Sequence, residues 1–395
     1  MYTKLALIVV MILGMLMPLT VVGEDDKPTI ALLRYRQSSG SNTTIKAIWD
    51  MFQAYGYISL AERTALNVEE DIDGEHINVF FRNAGGDLPT ANIMVEEALD
   101  RGADVMLTIS TPVSSIATKA ALEMEDPPYL FFSLVSTPYT GGIASSPCIK
   151  PDFVAGTHAK FPYDLIVPLL QVQNPDITTF GTYVNAAEAN SVTGSKLIVE
   201  RGEELGMTVE VAPLVSSADL VLATETLLDK GVEAILYPAG YIELFGTSTI
   251  AGIAQPQGVP VFGPALVLPT SRGAMVGAGF RDYYDEGVIV ARLLLAHLEG
   301  TQDISKLAIN TTLSLGVSIN LDAAAEGGIE VAEGLLEMAE YVIEDGQSTA
   351  DDTPPSLPEM SLEERRAEDA AFLAELECTP ERIAAEQAAL DAADG

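Results

Sequence analysis

Apolar positions in this chain come in blocks, and the blocks change period. Between Asn78 and Thr111 a short apolar run, Val79-Phe80-Phe81, is followed by a turn with paired glycines from Asn83 to Asp87. Next, Ala91, Met94, Val95 and Ala98 recur at helical spacing up to Arg101-Gly102, and Val105 to Ile109 is then continuously apolar. Spacing by threes and fours predicts a helix, and an unbroken apolar run predicts a strand covered on both sides of a parallel sheet. Strand, helix and strand with short connections make a right-handed crossover unit. The second strand ends in Ser110-Thr111-Pro112 and opens another helix, expected from Val113 to about Met124. Ligands in open α/β sheets lie beyond the carboxyl ends of strands; here that position holds small hydroxyl residues at a helix start.

The same alternation extends both ways. Thr29 to Leu33 reads as the first strand, followed by the loop Arg34 to Gly40 and a helix from about Thr43 to Tyr55 that carries Trp49. Tyr129 to Leu134 reads as a strand closed by Val135-Ser136-Thr137-Pro138. Residues 140–157 are rich in glycine, serine and proline and read as a loop or interdomain connection. A second series follows: a helix over about Lys160 to Val172, strands at Thr178 to Val184, Thr208 to Ala212, Ala234 to Tyr237 and Pro260 to Phe262, and helices between them. Ala274 to Gly279 predicts a strand, Glu286 to Leu298 a helix, Leu313 to Asn320 the last clear strand and Glu333 to Val342 a helix. The fold class is therefore α/β, with two Rossmann-like lobes and a cleft between them. Residues 347–360 read as a linker. Residues 361–395 read as an acidic, Ala/Glu-rich tail of two short helices, with a capping box at Ser361 and Glu364 and an N-cap at Thr379 before Pro380.

Composition narrows the partners. The 395 residues include 57 acidic and 21 basic side chains, a formal charge of −36. That charge argues against nucleic acid or an anionic membrane surface as a partner and reads as a solvated acidic surface. Residues 1–23 have the form of a secretory signal, with Lys4 before an apolar core from Leu5 to Met17, Pro18 breaking it, and Val21 and Gly23 before a cut that would leave Glu24 first. An exported protein, periplasmic or extracellular, is the expectation, with an uncleaved anchor as the alternative. An exported setting permits a disulfide between Cys148 and Cys378, which would staple the tail to the body. Two buried thiols are the alternative, and both stay open.

Catalytic signals are weak. His76, His158 and His297 are isolated without metal spacing, and neither a nucleophile elbow nor a phosphate-binding P-loop is present. No cofactor and no metal is expected.

The segments FFRNAGGDLPTAN, ISTP, SLVSTP, NAAEANS, RGAMVGAGFRDYYDEG and SINLDAA, in this order and spacing, give the chain over about residues 28–345 a specific resemblance to a known family. It resembles the type 1 periplasmic solute-binding proteins of ABC importers, more narrowly those whose members bind aromatic amino acids. The tail after residue 346 has no counterpart in that resemblance. It implies two lobes joined by three crossing segments, one holding about residues 28–140 plus 284–306 and the other 150–280 plus 312–346. A small molecule, an amino acid or related carboxylate, would bind between them, and the protein, acting as a monomer, would deliver it to an inner-membrane permease. A sensor signalling to a membrane receptor is the second reading, and an enzyme on the same fold the third.

The resemblance also directs attention to particular side chains. Ser110, Thr111 and the amides of Ser114 and Ser115 offer donors at a positive helix end for a carboxylate, and Ser136 and Thr137 form the matching pair on the next loop. Asn185, Glu188, Asn190 and Ser191 occupy the second lobe's first loop, and Tyr35 and Tyr241 are candidate apolar walls with polar tips. Arg34 and Arg281 are candidates to fork onto a ligand carboxylate. Family members often place an Asp, to hold a ligand ammonium, at loops matching Ser136-Thr137-Pro138, Pro238 to Tyr241 and Phe262 to Ala265. This chain has none there, which counts against an amino acid and leaves Asp282 and Glu188 as the remaining ammonium partners.

Overall fold

The computed structural model describes residues 27–350 and 353–393; the signal-like segment at residues 1–23 lies outside them. The first lobe begins with β1 (Thr29–Arg34), α1 (Ser39–Ala54), α2 (Leu60–Asn67), β2 (Ile72–Asp73) and β3 (Asn78–Asn83). It continues through α3 (Leu88–Asp100), β4 (Val105–Ile109), α4 (Thr111–Leu122), β5 (Tyr129–Val135) and β6 (Val154–Lys160). Side chains start these helices: Ser38 accepts from the Ser41 amide at α1 and Asp87 from the Thr90 amide at α3. Trp49, Phe52 and Met51 of α1 are fully buried under the sheet.

The chain then crosses at residues 161–162 into the second lobe. There it forms α5 (Tyr163–Ile166), α6 (Leu169–Gln173), β7 (Thr179–Asn185), α7 (Ala189–Glu204), β8 (Thr208–Leu214), α8 (Leu220–Asp229) and β9 (Ile235–Leu236). After these come α9 (Tyr241–Phe245), α10 (Thr247–Ala254), β10 (Val261–Ala265), α11 (Leu268–Ser271) and β11 (Val276–Phe280). At residues 281–282 it returns for α12 (Tyr283–Leu298) and β12 (Asn310–Leu313), and at 314–315 it crosses a third time to β13 (Gly316–Asn320), α13 (Leu321–Glu326), α14 (Glu333–Met338), β14 (Tyr341–Glu344) and β15 (Gln347–Ser348).

Two sheets result. The first has the order β12-β6-β5-β4-β1-β3-β2, parallel except for β2. The second has the order β15-β14-β13-β11-β10-β9-β7-β8, parallel from β8 to β11, with β13 antiparallel to β11. Helices cover both faces of each, the doubly wound arrangement expected.

Three local expectations differ. Residues 154–160 are not a connection: they form β6, pairing in parallel with β5, so the first crossing comes later than residue 150. The segment hides its strand because it is small and polar. A Cβ on Gly156 would lie 2.5 Å from the Phe132 carbonyl oxygen, so only glycine lets β5 and β6 approach. Leu313 to Asn320 is not one strand; its two halves belong to different sheets. Glu333 to Val342 is a short helix followed by a strand, because Tyr341 and Val342 pair with Ser318 and Ile319.

Beneath the crossings lies Glu286 of α12, fully buried. Its carboxylate accepts from Thr157 Oγ1 at 2.8 Å and from Ser133 Oγ and the Leu134 amide at 3.3 Å. It thereby ties α12 to the ends of β5 and β6, and burial raises its pKa.

The tail folds back on the first lobe as α15 (Leu362–Glu375) and α16 (Pro380–Ala393). Leu373 and Leu376 join the apolar core beneath α1 and α12. Asp369, buried, accepts from Tyr55 OH and Arg292 Nε, each at 2.6 Å. Cys148 and Cys378 form a disulfide with Cα atoms 5.7 Å apart. Beside it, Glu386 accepts from Ser146 Oγ at 2.6 Å and from the Cys148 amide at 2.7 Å. Among the described residues no helix is long and apolar enough to cross a membrane.

Candidate ligand-binding cleft

A cavity of about 160 Å³ lies between the lobes, beside the crossing segments. An apolar cavity of comparable size, about 150 Å³, takes up benzene. One wall is apolar and aromatic, built from Phe161, Tyr241, Leu244, Phe245, Phe280 and Tyr283. The rest of the lining is neutral and polar: Ser38, Ser39 and Ser41 at the start of α1, Ser110 and Thr111 at the start of α4, then Ser136 and Asn190. Among the described residues no acidic or basic side chain lines it.

Two helix N-termini therefore converge on one space. In any first turn several amides have no partner within the helix. At α1 the Ser38 hydroxyl satisfies the Ser41 amide. At α4 no side chain caps the helix. Ser110, its N-cap, has a φ of 96°, and Leu134, at the end of the neighbouring strand, has a φ of 53°. Both line the cavity. Non-glycine residues held at positive φ carry strain of roughly 1–3 kcal/mol and concentrate at functional sites. The Ser110 amide donates to the Ser133 carbonyl at 2.9 Å, and the Ser136 amide to Thr111 Oγ1 at 3.2 Å, which fix the two loops against each other.

The lobes touch across the cleft. Tyr241, from the second lobe, packs on the first lobe's core, its ring 4.8 Å from Tyr35 at an interplanar angle of 75°. Tyr35 OH donates to the Gly86 carbonyl at 2.8 Å, and burial pushes its pKa to about 12. The Arg36 guanidinium lies 3.8 Å from the centre of the Phe245 ring, and Arg272 lies 5.0 Å from the same ring. Farther along, the Thr140 and Thr193 hydroxyls meet at 2.8 Å.

Of the residues singled out from the sequence, Ser110, Thr111, Ser136, Asn190 and Tyr241 line this cavity. The Ser114 and Ser115 amides do not supply its donors. The α4 helix starts at Thr111 rather than Val113, so the Ser114 amide already donates to the Ser110 carbonyl, at 3.2 Å. Thr137 lies in a smaller adjoining cavity with His158, whose Nε2 is 3.1 Å from the Ser136 carbonyl oxygen; burial lowers the His158 pKa to about 4, so the ring is neutral at pH 7.

Asn185, Glu188 and Ser191 form a buried scaffold behind the wall. Asn185 Nδ2 donates to Glu188 Oε1 at 3.0 Å, Glu188 Oε2 accepts from the Tyr241 amide at 2.8 Å, and Ser191 Oγ donates to Glu243 Oε1 at 2.6 Å. This network sets the position of the α9 helix and hence of Tyr241. Burial raises the Glu188 pKa, and it pushes Glu243, with the Glu188 charge adding to the effect, to about 7.

The two arginines face elsewhere. Arg34, buried, pairs with Glu69, donates to Asn42 Oδ1 at 2.9 Å and lies 5.1 Å from the Phe81 ring centre. Arg281 donates to Glu340 Oε1 at 2.5 Å and lies 3.5 Å from Asp282, holding the second crossing on its outer side. Neither arginine borders the cavity, and Asp282 does not either.

The sequence reading missed Ser38, Tyr283 and Phe245. Ser38 was legible as a cap, since Ser38-Ser39-Gly40-Ser41 carries a hydroxyl at both the N-cap and third helical positions. Tyr283 was not: it reaches the cavity because Gly40 leaves room for its ring, which a Cβ on Gly40 would approach to 2.6 Å.

Two α/β lobes, three crossings and a lined cavity at their junction define a type 1 periplasmic binding fold. The profile of the family described as ABC transporter substrate binding protein matches residues 63–343, well over half of the chain, and the chain belongs to that family. Among its relatives, a tyrosine-binding protein of Clostridioides difficile is 22% identical over 250 residues, 63% of this chain and 70% of that one. The solved structures it resembles include a conserved domain protein from Vibrio cholerae, with a TM-score of 0.69 and 23% identity over 80% of this chain and all of that one. A domain from Streptococcus pneumonia in complex with L-Trp gives a TM-score of 0.69 at 21% identity, with the same coverage. These likenesses establish the fold.

Proposed function

We propose that this chain is an exported binding protein that captures a small carboxylate bearing an apolar or aromatic group between its lobes. It then passes that solute, as a monomer, to the permease of an ABC importer. One observation carries this reading: the uncapped start of α4 and a set of hydroxyls share a cavity of about 160 Å³ with aromatic side chains. A helix N-terminus is a ready site for an anion, and a ring fits the wall. The relative named for tyrosine and the solved complex with L-Trp support a ring-bearing solute. Closure follows from contacts made only when the lobes are together, Tyr35 on Tyr241 and Arg36 on Phe245. A ligand touching both walls favours that state. We read the site as one that binds without turnover, since the Ser38 and Thr111 hydroxyls are hydrogen-bonded to backbone amides rather than to a base.

Native mass spectrometry of gently purified protein tests the reading. A retained small organic acid, lost after unfolding and refolding, is the expected result. A protein that carries no solute and binds no carboxylate would overturn it.

A further inference from the structure

We propose that the ligand is an aromatic 2-hydroxy acid, or its analogue without a substituent at that carbon, rather than a zwitterionic amino acid. This rests on the cleft reading above and goes further by fixing the charge of the ligand.

The first observation is the neutrality of the lining. A carboxylate would find its donors in the amides of Ser39, Gly40 and Thr111 along the cavity, since Pro112 has no N–H and the Ser41, Ser110 and Ser114 amides are already bonded. An α-ammonium beside it would be stripped of water with no carboxylate to meet it, and burying an unpaired charge is strongly unfavourable. The acids nearest in the fold stand behind the lining, where Glu243 Oε2 is itself buried without a partner. Glu188 holds Asn185 Nδ2 and the Tyr241 amide, Glu243 holds Ser191, and neither borders the cavity.

The second observation is the sign of the surrounding charge. Arg36 and Arg272 flank Phe245, whose ring forms part of the wall, at 3.8 and 5.0 Å. They come from opposite lobes and stand near a cavity whose described lining holds no acid, with Glu188 close enough to Arg36 to offset part of their charge. Such a field favours a ligand with net negative charge and disfavours an added ammonium.

The third observation locates the hydroxyl. Asn190 lines the cavity and is 4% exposed. Its Nδ2 donates to the Ala239 carbonyl at 2.6 Å, which leaves Oδ1 as an acceptor, and that atom is buried without a partner. A buried acceptor left unpaired is costly. A neutral ligand O–H meets that need without bringing a charge, and Asn190 borders the same cavity as the helix starts.

The test uses isosteres. The full chain is stripped of retained solute by unfolding without reductant and refolded, then titrated calorimetrically with L-3-phenyllactate, 3-phenylpropanoate and L-phenylalanine. The first and last differ only in hydroxyl against ammonium. We expect phenyllactate to bind at least tenfold more tightly than phenylalanine, with phenylpropanoate between them. In Asn190→Asp, checked for folding by circular dichroism, the preference reverses toward phenylalanine. Phenylalanine binding as well as or better than phenyllactate in the unaltered protein would overturn the inference and leave the cleft reading standing. Saturable binding of none of the three would overturn the cleft reading itself.

Discussion

Tyr35 and Tyr241 meet edge to face across the interlobe gap, 4.8 Å between ring centres, although 206 residues separate them in the chain. One is anchored on the first lobe through the Gly86 carbonyl. The other is held by the Glu188 carboxylate through its backbone amide. The pair joins the two lobes across the gap.

Tyr241→Ala removes this pair and one side of the ligand wall. An edge-to-face pair contributes about 1 kcal/mol beyond its buried area, so solute affinity should fall roughly tenfold or more. Each lobe keeps its own core, so unfolding should be little changed. Calorimetry alongside a denaturation curve checks both; undiminished affinity would remove Tyr241 from the site.

Thr111→Ala takes away the hydroxyl that receives the Ser136 amide at the cavity rim. A neutral hydrogen bond contributes about 1 kcal/mol net. We expect about fivefold weaker binding with folding intact. Unchanged affinity would show that the rim tolerates its loss.

Glu243 supplies a pH signature. Its folded pKa, about 7, stands above the ordinary value of 4.5 because the group is buried. Between those values folding takes up a proton, so stability falls as pH rises from 4.5 to 7, and the cost is fully present above 7. A shift of that size corresponds to roughly 3 kcal/mol. Glu243→Gln should flatten this slope and be the more stable protein at pH 8. Urea midpoints at pH 5 and pH 8 measure it; an unaltered slope would contradict the assignment.

The disulfide closes a loop spanning 230 positions. In the chain-entropy relation, loops of this length gain roughly 5 kcal/mol from restriction of the unfolded chain. Replacing Cys148 and Cys378 together by serine should lower the melting temperature and loosen α15 and α16 first, since they are then held by side-chain pairs at Asp369, Glu368, Arg366 and Glu386, two buried leucines and two backbone bonds near residues 376–378. Hydrogen exchange across residues 361–393 is the measurement, and unchanged protection there would count against the strap.

Much of this was legible in the sequence because buried parallel strands announce themselves. Val105 to Ile109 is apolar at every position but Thr108, is buried throughout and occupies the centre of its sheet. What stayed hidden did so for physical reasons. The β6 strand is buried by being small, with Gly156 against Phe132, and carries no apolar run to detect. The third crossing leaves no sequence mark, because a strand that ends in one sheet and restarts in another reads as one run. Arg34 stands directly after an apolar strand, as a ligand clamp would. Its partner Glu69 lies 35 residues on, beyond what local pattern reveals. Ser110 and Thr111 could be found because a strand end followed by a helix start is itself the geometry of an anion site.

The most direct test of the central claim is small-angle X-ray scattering of the refolded, solute-free chain, with and without saturating L-3-phenyllactate. Saturation should give a smaller radius of gyration, reversed when the acid is dialysed away. A profile identical with and without it, and equally unmoved by phenylpropanoate and phenylalanine, would contradict a cleft that closes on a carboxylate.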